Sequence, residues 1–205
     1  MLKLPKTTEI SKALPKKAIF DRFKPSPENR RLFDEQISRM SIVHEISPQT
    51  TAIKAGEDAS AVYVILVTLK TAECSKKNIA LLSKLIDQRM LFVLQFADTA
   101  RLAVYRADNV LISESKHLAD WEVPLSGLDL GAVWENIVAQ IGGIDLTTGK
   151  ELNAAIAENK RIEKLQKQID ALEKKVMAER QPRKKWKIAE EIERLKKELG
   201  GTEND

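Results

Sequence analysis

The segment Val64-Ile65-Leu66-Val67-Thr68-Leu69-Lys70 ends an apolar run on a lysine. Many DNA-cutting enzymes close a core strand with an acid two residues before a lysine. The acid holds a divalent cation and the lysine orients the attacking water. Here Thr68 stands in the acid's place, and a neutral hydroxyl is a poor ligand for a hard cation. Glu45 or Asp58 supplies one upstream carboxylate, which is not enough. Lys70 therefore reads as the solvated end of a buried strand, and neither a catalytic nor a metal site is assigned.

Other chemistries fail on count or spacing. His44 and His117 are the two histidines, too far apart in sequence for a local ligand motif. Cys74, the single cysteine, precedes a helix start, where a thiolate is favoured. It reads as a small, inert core residue. There is no nucleophile elbow, no phosphate loop and no dinucleotide fingerprint, so no cofactor is expected.

The residues left with chemistry to do are cations. Lys16, Lys17, Arg22, Arg30 and Arg31 lie near the N-terminus, and Arg183, Lys184, Lys185 and Lys187 lie near the C-terminus. Trp186 sits inside the second cluster, so a charge and an aromatic plane occur together, as phosphate contact with base stacking requires. The plainer reading is a solvated turn whose tryptophan packs back on its own helices.

Charge distribution divides the chain. Residues 1–50 carry 10 Lys+Arg against 6 Asp+Glu, residues 51–150 carry 10 against 12, and residues 151–205 carry 14 against 12. A mildly acidic body lies between basic ends. A 43% apolar share is too high for a disordered chain. One cysteine excludes a disulfide framework, and no run of about 18 apolar residues offers a membrane span. These features fit a cytoplasmic protein.

Three segments should position these groups. Residues 1–25 form an ordered basic arm with Pro5, Pro15 and Pro25, room between Pro5 and Pro15 for only a short helical turn, and apolar residues that pack on the body. Residues 26–148 form an α+β body, a mixed sheet with packed helices. Ser26-Pro27-Glu28 starts a helix whose apolar repeat runs through Leu32, Phe33, Gln36, Ile37 and Met40. Residues 41–47 read as a strand, with a short addition at Thr50 to Ile53. Val62 to Leu69 is a strand buried on both faces. Ser75 caps a helix bearing Ile79, Leu82, Leu85 and Ile86. Met90 to Phe96 is a second buried strand, and residues 101–106 its hairpin partner. Val110 to Ile112 and Trp121 to Val123 read as short strands. Leu130 to Ile141 is a helix closed by Gly142-Gly143.

Residues 149–205 form a helical hairpin with a coiled-coil seam. Ile162, Leu165, Ile169, Leu172 and Val176 recur at spacings of three and four. Pro182 breaks this helix, and Ile188, Ile192, Leu195 and Leu199 begin a second seam. An antiparallel hairpin is the reading, with a kinked helix dimerising in parallel as the alternative. Thr202 to Asp205 reads as a frayed tail.

Several of these pieces together resemble a known family. They are Leu14-Pro15-Lys16-Lys17 with Phe20, Leu32-Phe33 with Ile37, and Ile46-Ser47-Pro48-Gln49-Thr50. The strand Val62 to Lys70, Trp121, Leu128-Asp129-Leu130 and Trp134-Glu135-Asn136 complete the pattern with the charged hairpin. The chain resembles a bacterial domain family of unknown function whose members are often encoded beside DNA methyltransferases and helicases in phage-defence clusters. The resemblance implies a helicase or methyltransferase subunit as partner.

The first functional reading is a non-enzymatic accessory subunit of such a DNA-directed complex. It would dock through the hairpin positions Ile162, Leu165, Ile169, Leu172, Ile188, Ile192 and Leu195. The second is nucleic-acid binding by the basic arm and hairpin turn, and the third a divergent metal-dependent nuclease.

Overall fold

The computed structural model describes residues 1–145 and 151–202, with side chains through Gly200. The chain divides into two compact units, Met1–Leu152 and Asn153–Asp205. The expected boundary at 148–149 and residues 203–205 of the expected tail lie outside the described residues, and Thr202, expected in that tail, instead ends the last helix.

The first unit is α+β. Its strands are β1 (Glu9–Ala13), β2 (Ile37–Ile46), β3 (Val62–Leu69), β4 (Arg89–Phe96), β5 (Thr99–Arg106), β6 (Asn109–Ile112) and the two-residue β7 (Lys116–His117). They lie in the order β1-β2-β3-β4-β5-β6, with β7 paired to β5. The β3–β4 pair is parallel and the other neighbours are antiparallel, so the sheet is mixed. The helices are α1 (Lys16–Phe23), α2 (Pro27–Gln36), α3 (Lys76–Leu82) and α4 (Leu130–Gly142).

The core follows from the apolar run. Val62, Val64, Ile65 and Val67 on β3 and Leu91, Phe92 and Val93 on β4 are fully buried. These β-branched and large residues suit central strands enclosed by neighbours on either side. Phe33 and Ile79 bring α2 and α3 onto the face of the sheet that holds Ile65, Val67 and Phe92, together with Ile19 and Phe20 of α1. Phe20 meets Phe33 edge to face, with centroids 5.4 Å apart.

Several local expectations need correction. The segment between Pro5 and Pro15 is a 3₁₀ turn (Lys6–Thr8) followed by β1, which pairs with β2. The arm is therefore the first edge of the sheet, and Leu2 and Leu4 are buried. α2 ends at Gln36, and Ile37 and Met40 belong to β2. The helical repeat there competes with strand pairing, which sets Ile37 opposite Leu69 and Met40 opposite Val67, and tertiary pairing wins. The Gln36 side chain instead accepts from Ser75 N and Asn78 Nδ2 at the start of α3.

Thr50 to Ile53 is a turn, because the hydroxyls of Thr50 and Thr51 bond the carbonyls of Glu45 and Ser47 and compete with a strand ladder. α3 stops at Leu82, before Leu85 and Ile86. Trp121 to Val123 is irregular; the Trp121 ring is buried and its Nε1 donates to Ala100 O at 2.8 Å.

The loop before β3 is fixed on α4. Leu130 N donates to Lys54 O. A Cβ on Gly56 would stand 2.5 Å from Gly131 N, so only glycine permits this approach. The turn from β5 to β6 places Ala107 and Asp108 at φ 49° and 54°, the left-handed pair of a type I′ hairpin.

The second unit is a helical hairpin of α5 (Leu152–Ala178) and α6 (Pro182–Thr202). Leu165, Ile169, Ile192 and Leu195 form its buried core, flanked by Leu172, Val176, Ile188 and Leu199. Lys196 pairs with Glu173 at 2.9 Å and Arg161 with Glu198 at 3.1 Å across the two helices.

Candidate nucleic-acid interface

The two basic clusters occupy different physical situations. Near the N-terminus, the chain itself uses four of the five cations. Lys16 Nζ lies 3.0 Å from Asp34 Oδ1, and Arg31 Nε lies 2.8 Å from Glu35 Oε1. Arg22 Nη1 donates to Leu85 O at 2.7 Å, and the Arg30 guanidinium sits 4.8 Å above the Phe20 ring. Of the five N-terminal cations predicted from sequence, Lys17 is exposed without such a contact among the described residues. Lys70 joins the first group, donating to Asp34 O at 2.7 Å.

The hairpin bend is different. Lys174 and Lys175 close α5, Arg180 lies in the connection, and Arg183, Lys184, Lys185 and Lys187 open α6. All seven are exposed, and none forms an ion pair among the described residues. The same stretch, 174–187, holds one acid, Glu179. Gln181 N donates to its carboxylate at 2.9 Å, and this bond holds the group below the usual carboxylate range, with the fields of Lys184 and Lys175 adding to it. Glu179 thus stays ionised and closes the turn.

Trp186 is 67% exposed and Met177 85% exposed. The seam of α6 runs through Ile188, Ile192, Leu195 and Leu199. At about 100° per residue, Trp186 points about 150° away from that stripe. Its side chain is mostly exposed and is not part of the seam. The predicted docking positions Leu165, Ile169, Ile192 and Leu195, with Leu172 and Ile188 beside them, are turned inward on each other, and Ile162 is half-buried. The seam is filled from within the chain.

The constellations weighed against enzymatic chemistry stand apart. Glu45 is opposite Tyr63 across β2 and β3, seven residues before Lys70. At a strand's rise per residue they lie about 23 Å apart. Asp58 is also at the far end of β3 from Lys70. The Thr68 hydroxyl accepts from Arg39 Nε at 3.4 Å.

His44 is buried on β2 with Nδ1 2.9 Å from Thr8 Oγ1, whereas His117 is exposed on β7. Four strand spacings, about 19 Å, separate them. Burial pushes the Cys74 thiol up to about 11, so it is protonated at neutral pH and a poor nucleophile. Among the described residues, no three His, Cys, Asp or Glu side chains gather where a metal ion could sit.

A cleft of about 390 Å³ lies at the start of β3 and β4, lined by Glu57, Asp58, Asp87, Arg89, Tyr105 and Trp134. Three carboxylates against one arginine disfavour a phosphate there. Sequence reading had no signal for this cleft, because its walls come from segments some 30 to 80 residues apart.

The profile of the domain of unknown function DUF4391 matches residues 2–199, and the chain belongs to that family. No curated protein and no solved structure matches it.

Proposed function

We propose that this chain is a non-enzymatic accessory protein of a DNA-directed bacterial system, and that it contacts nucleic-acid phosphates through the hairpin bend. The observation that carries this reading is the contrast between the clusters. Lys16, Arg22, Arg30 and Arg31 each have a partner within the body, although Lys17 does not, while the seven at the bend have one acid among them and no ion-pair partner among the described residues. A cation already paired with a carboxylate, as Lys16 and Arg31 are, gains less from a phosphate. A solvated one gains the attraction and releases the counterions condensed on the nucleic acid.

The phage-defence setting implied by the sequence resemblance suits such a role. Docking by a helicase or methyltransferase subunit would then use the outer faces of the hairpin, since the seam is occupied from inside the chain.

The test is fluorescence anisotropy of a labelled DNA 20-mer titrated with the full chain between 50 and 200 mM salt. Binding should weaken steeply with salt. Lys184→Glu with Lys185→Glu should lower affinity by ten-fold or more. The slope of log affinity against log salt should fall by about 0.7 to 0.9 for each phosphate the variant no longer neutralises. Salt-independent binding, or affinity untouched by the double reversal, would overturn the reading.

A further inference from the structure

The bend carries more than charge. Its exposed side chains include one indole, which is the feature that distinguishes a stacking platform from a purely electrostatic patch. The other two tryptophans are enclosed in the body, Trp121 at 4% and Trp134 at 2% exposure. Trp186 is the indole free to meet a ligand. Arg183 and Lys187 lie three residues before it and one residue after it, on the same first turns of α6. Residues three and four apart on a helix are neighbours, which places Arg183 beside both Trp186 and Lys187. The indole thus has Arg183 beside it and Lys187 beyond Arg183, two charges that can hold phosphates.

Size decides which nucleic acid can use this arrangement. Each helix is about 10–12 Å across, and two packed helices are 8–10 Å apart between axes, so the end of the hairpin is roughly 20 Å wide. The major groove of B-DNA is about 12 Å wide and admits one helix, not two side by side. On a duplex the bend can reach phosphates, but the bases remain stacked out of reach of Trp186. On an unpaired strand the bases are free to turn onto the indole.

We infer that the hairpin bend is a site for unpaired nucleic-acid strands, with Trp186 stacking on a base while Arg183 and Lys187 hold the adjoining phosphates. This rests on the phosphate-binding reading above and adds a preference to it. Charge complementarity argues for the polyanion, and the outward indole argues for exposed bases.

The experiment compares a dT20 strand with a 20-base-pair duplex, using the full chain at one salt concentration. Both binding and the intrinsic tryptophan fluorescence are followed. Because Trp121 and Trp134 are enclosed, quenching on binding reports Trp186. The single strand should bind at least ten-fold more tightly than the duplex and quench the fluorescence. Trp186→Ala should lower single-strand affinity by about five- to 150-fold, the range for removal of one stacked base. It should change duplex affinity by less than two-fold, and Trp186→Tyr should restore part of the loss.

Equal affinity for both forms, or a Trp186→Ala effect equal on both, overturns the stacking inference and leaves phosphate binding standing. If neither form binds and the Lys184→Glu, Lys185→Glu pair changes nothing, both readings fall. Blue-shifted Trp186 fluorescence with anionic phosphatidylserine vesicles, without binding of either oligonucleotide, also overturns both in favour of a lipid surface.

Discussion

The N-terminal segment and the hairpin bend are both basic and proline-marked, yet their cations do different work. In the first, Lys16, Arg22, Arg30 and Arg31 tie α1 and α2 to Asp34, the Leu85 carbonyl, the Phe20 ring and Glu35. In the second, Arg183, Lys184, Lys185 and Lys187 point into solvent around an exposed Trp186. Basic composition alone does not locate a binding surface. A cation that already has a partner stabilises a fold, and a cation without one is available to a ligand.

The comparison can be broken most strongly at its apolar base. Phe33 is fully buried against Phe20 and supports the platform under Arg30. Phe33→Ala should cost about 3–5 kcal/mol in chemical denaturation, as large aromatic deletions in cores do. A loss under about 1 kcal/mol would mean that the N-terminal segment is not part of the body's core.

Acid should separate the two regions next. Burial lowers the proton affinity of His44 first and the charge of the N-terminal amine adds to this, while Glu9 opposite it on β1 acts the other way. The unfolded chain then binds the proton more readily than the folded one, so stability is full above about pH 6.5 and is lost as pH falls below that value. Urea midpoints of the body should drop between pH 7.5 and 5, and His44→Gln should flatten that drop. An unchanged slope in the variant would remove His44 as the cause. No comparable buried histidine exists in the hairpin, since both histidines lie in the body.

A smaller effect tests the division itself. Arg30→Ala should cost about 0.5–1 kcal/mol of stability by removing the cation above the ring, and leave DNA affinity within two-fold. Lys184→Ala with Lys185→Ala should do the reverse, weakening binding while moving stability by less than about 0.5 kcal/mol, as surface changes do. Crossed results, with binding abolished at Arg30 and stability reduced at the bend, would invert the comparison.

The smallest effect concerns Glu179, the single acid at the bend. Glu179→Gln should tighten binding to a labelled oligonucleotide by roughly two-fold, because one repulsive charge is removed from a salt-screened surface. Weaker binding would assign the carboxylate a role in holding the turn for the ligand.

Much of this was legible in the sequence because the physics behind it is local. The apolar run from Val62 to Leu69 has the composition of an enclosed strand, and Ser26-Pro27 has the cap and fixed φ of a helix start. The seam spacing on either side of Pro182 reports two helices for the same reason. What sequence reading misplaced depended on distant partners. Ile37 and Met40 satisfy a helical repeat equally well, but Leu69 and Val67 draw them into the sheet. Glu9 to Ala13 has little strand signal of its own and becomes β1 by pairing with β2.

The same division applies to the candidate site. Sequence by itself determined the α+β class, the helical hairpin and the two places where positive charge collects, because these depend on period, capping and composition. Tertiary structure decided which of those charges remain free. That depends on whether Asp34, Phe20 or the Leu85 carbonyl comes within a few ångströms of a given cation, and no spacing along the chain encodes it. It also decided that Trp186 faces outward, because the seam that must be buried lies on the opposite side of its helix.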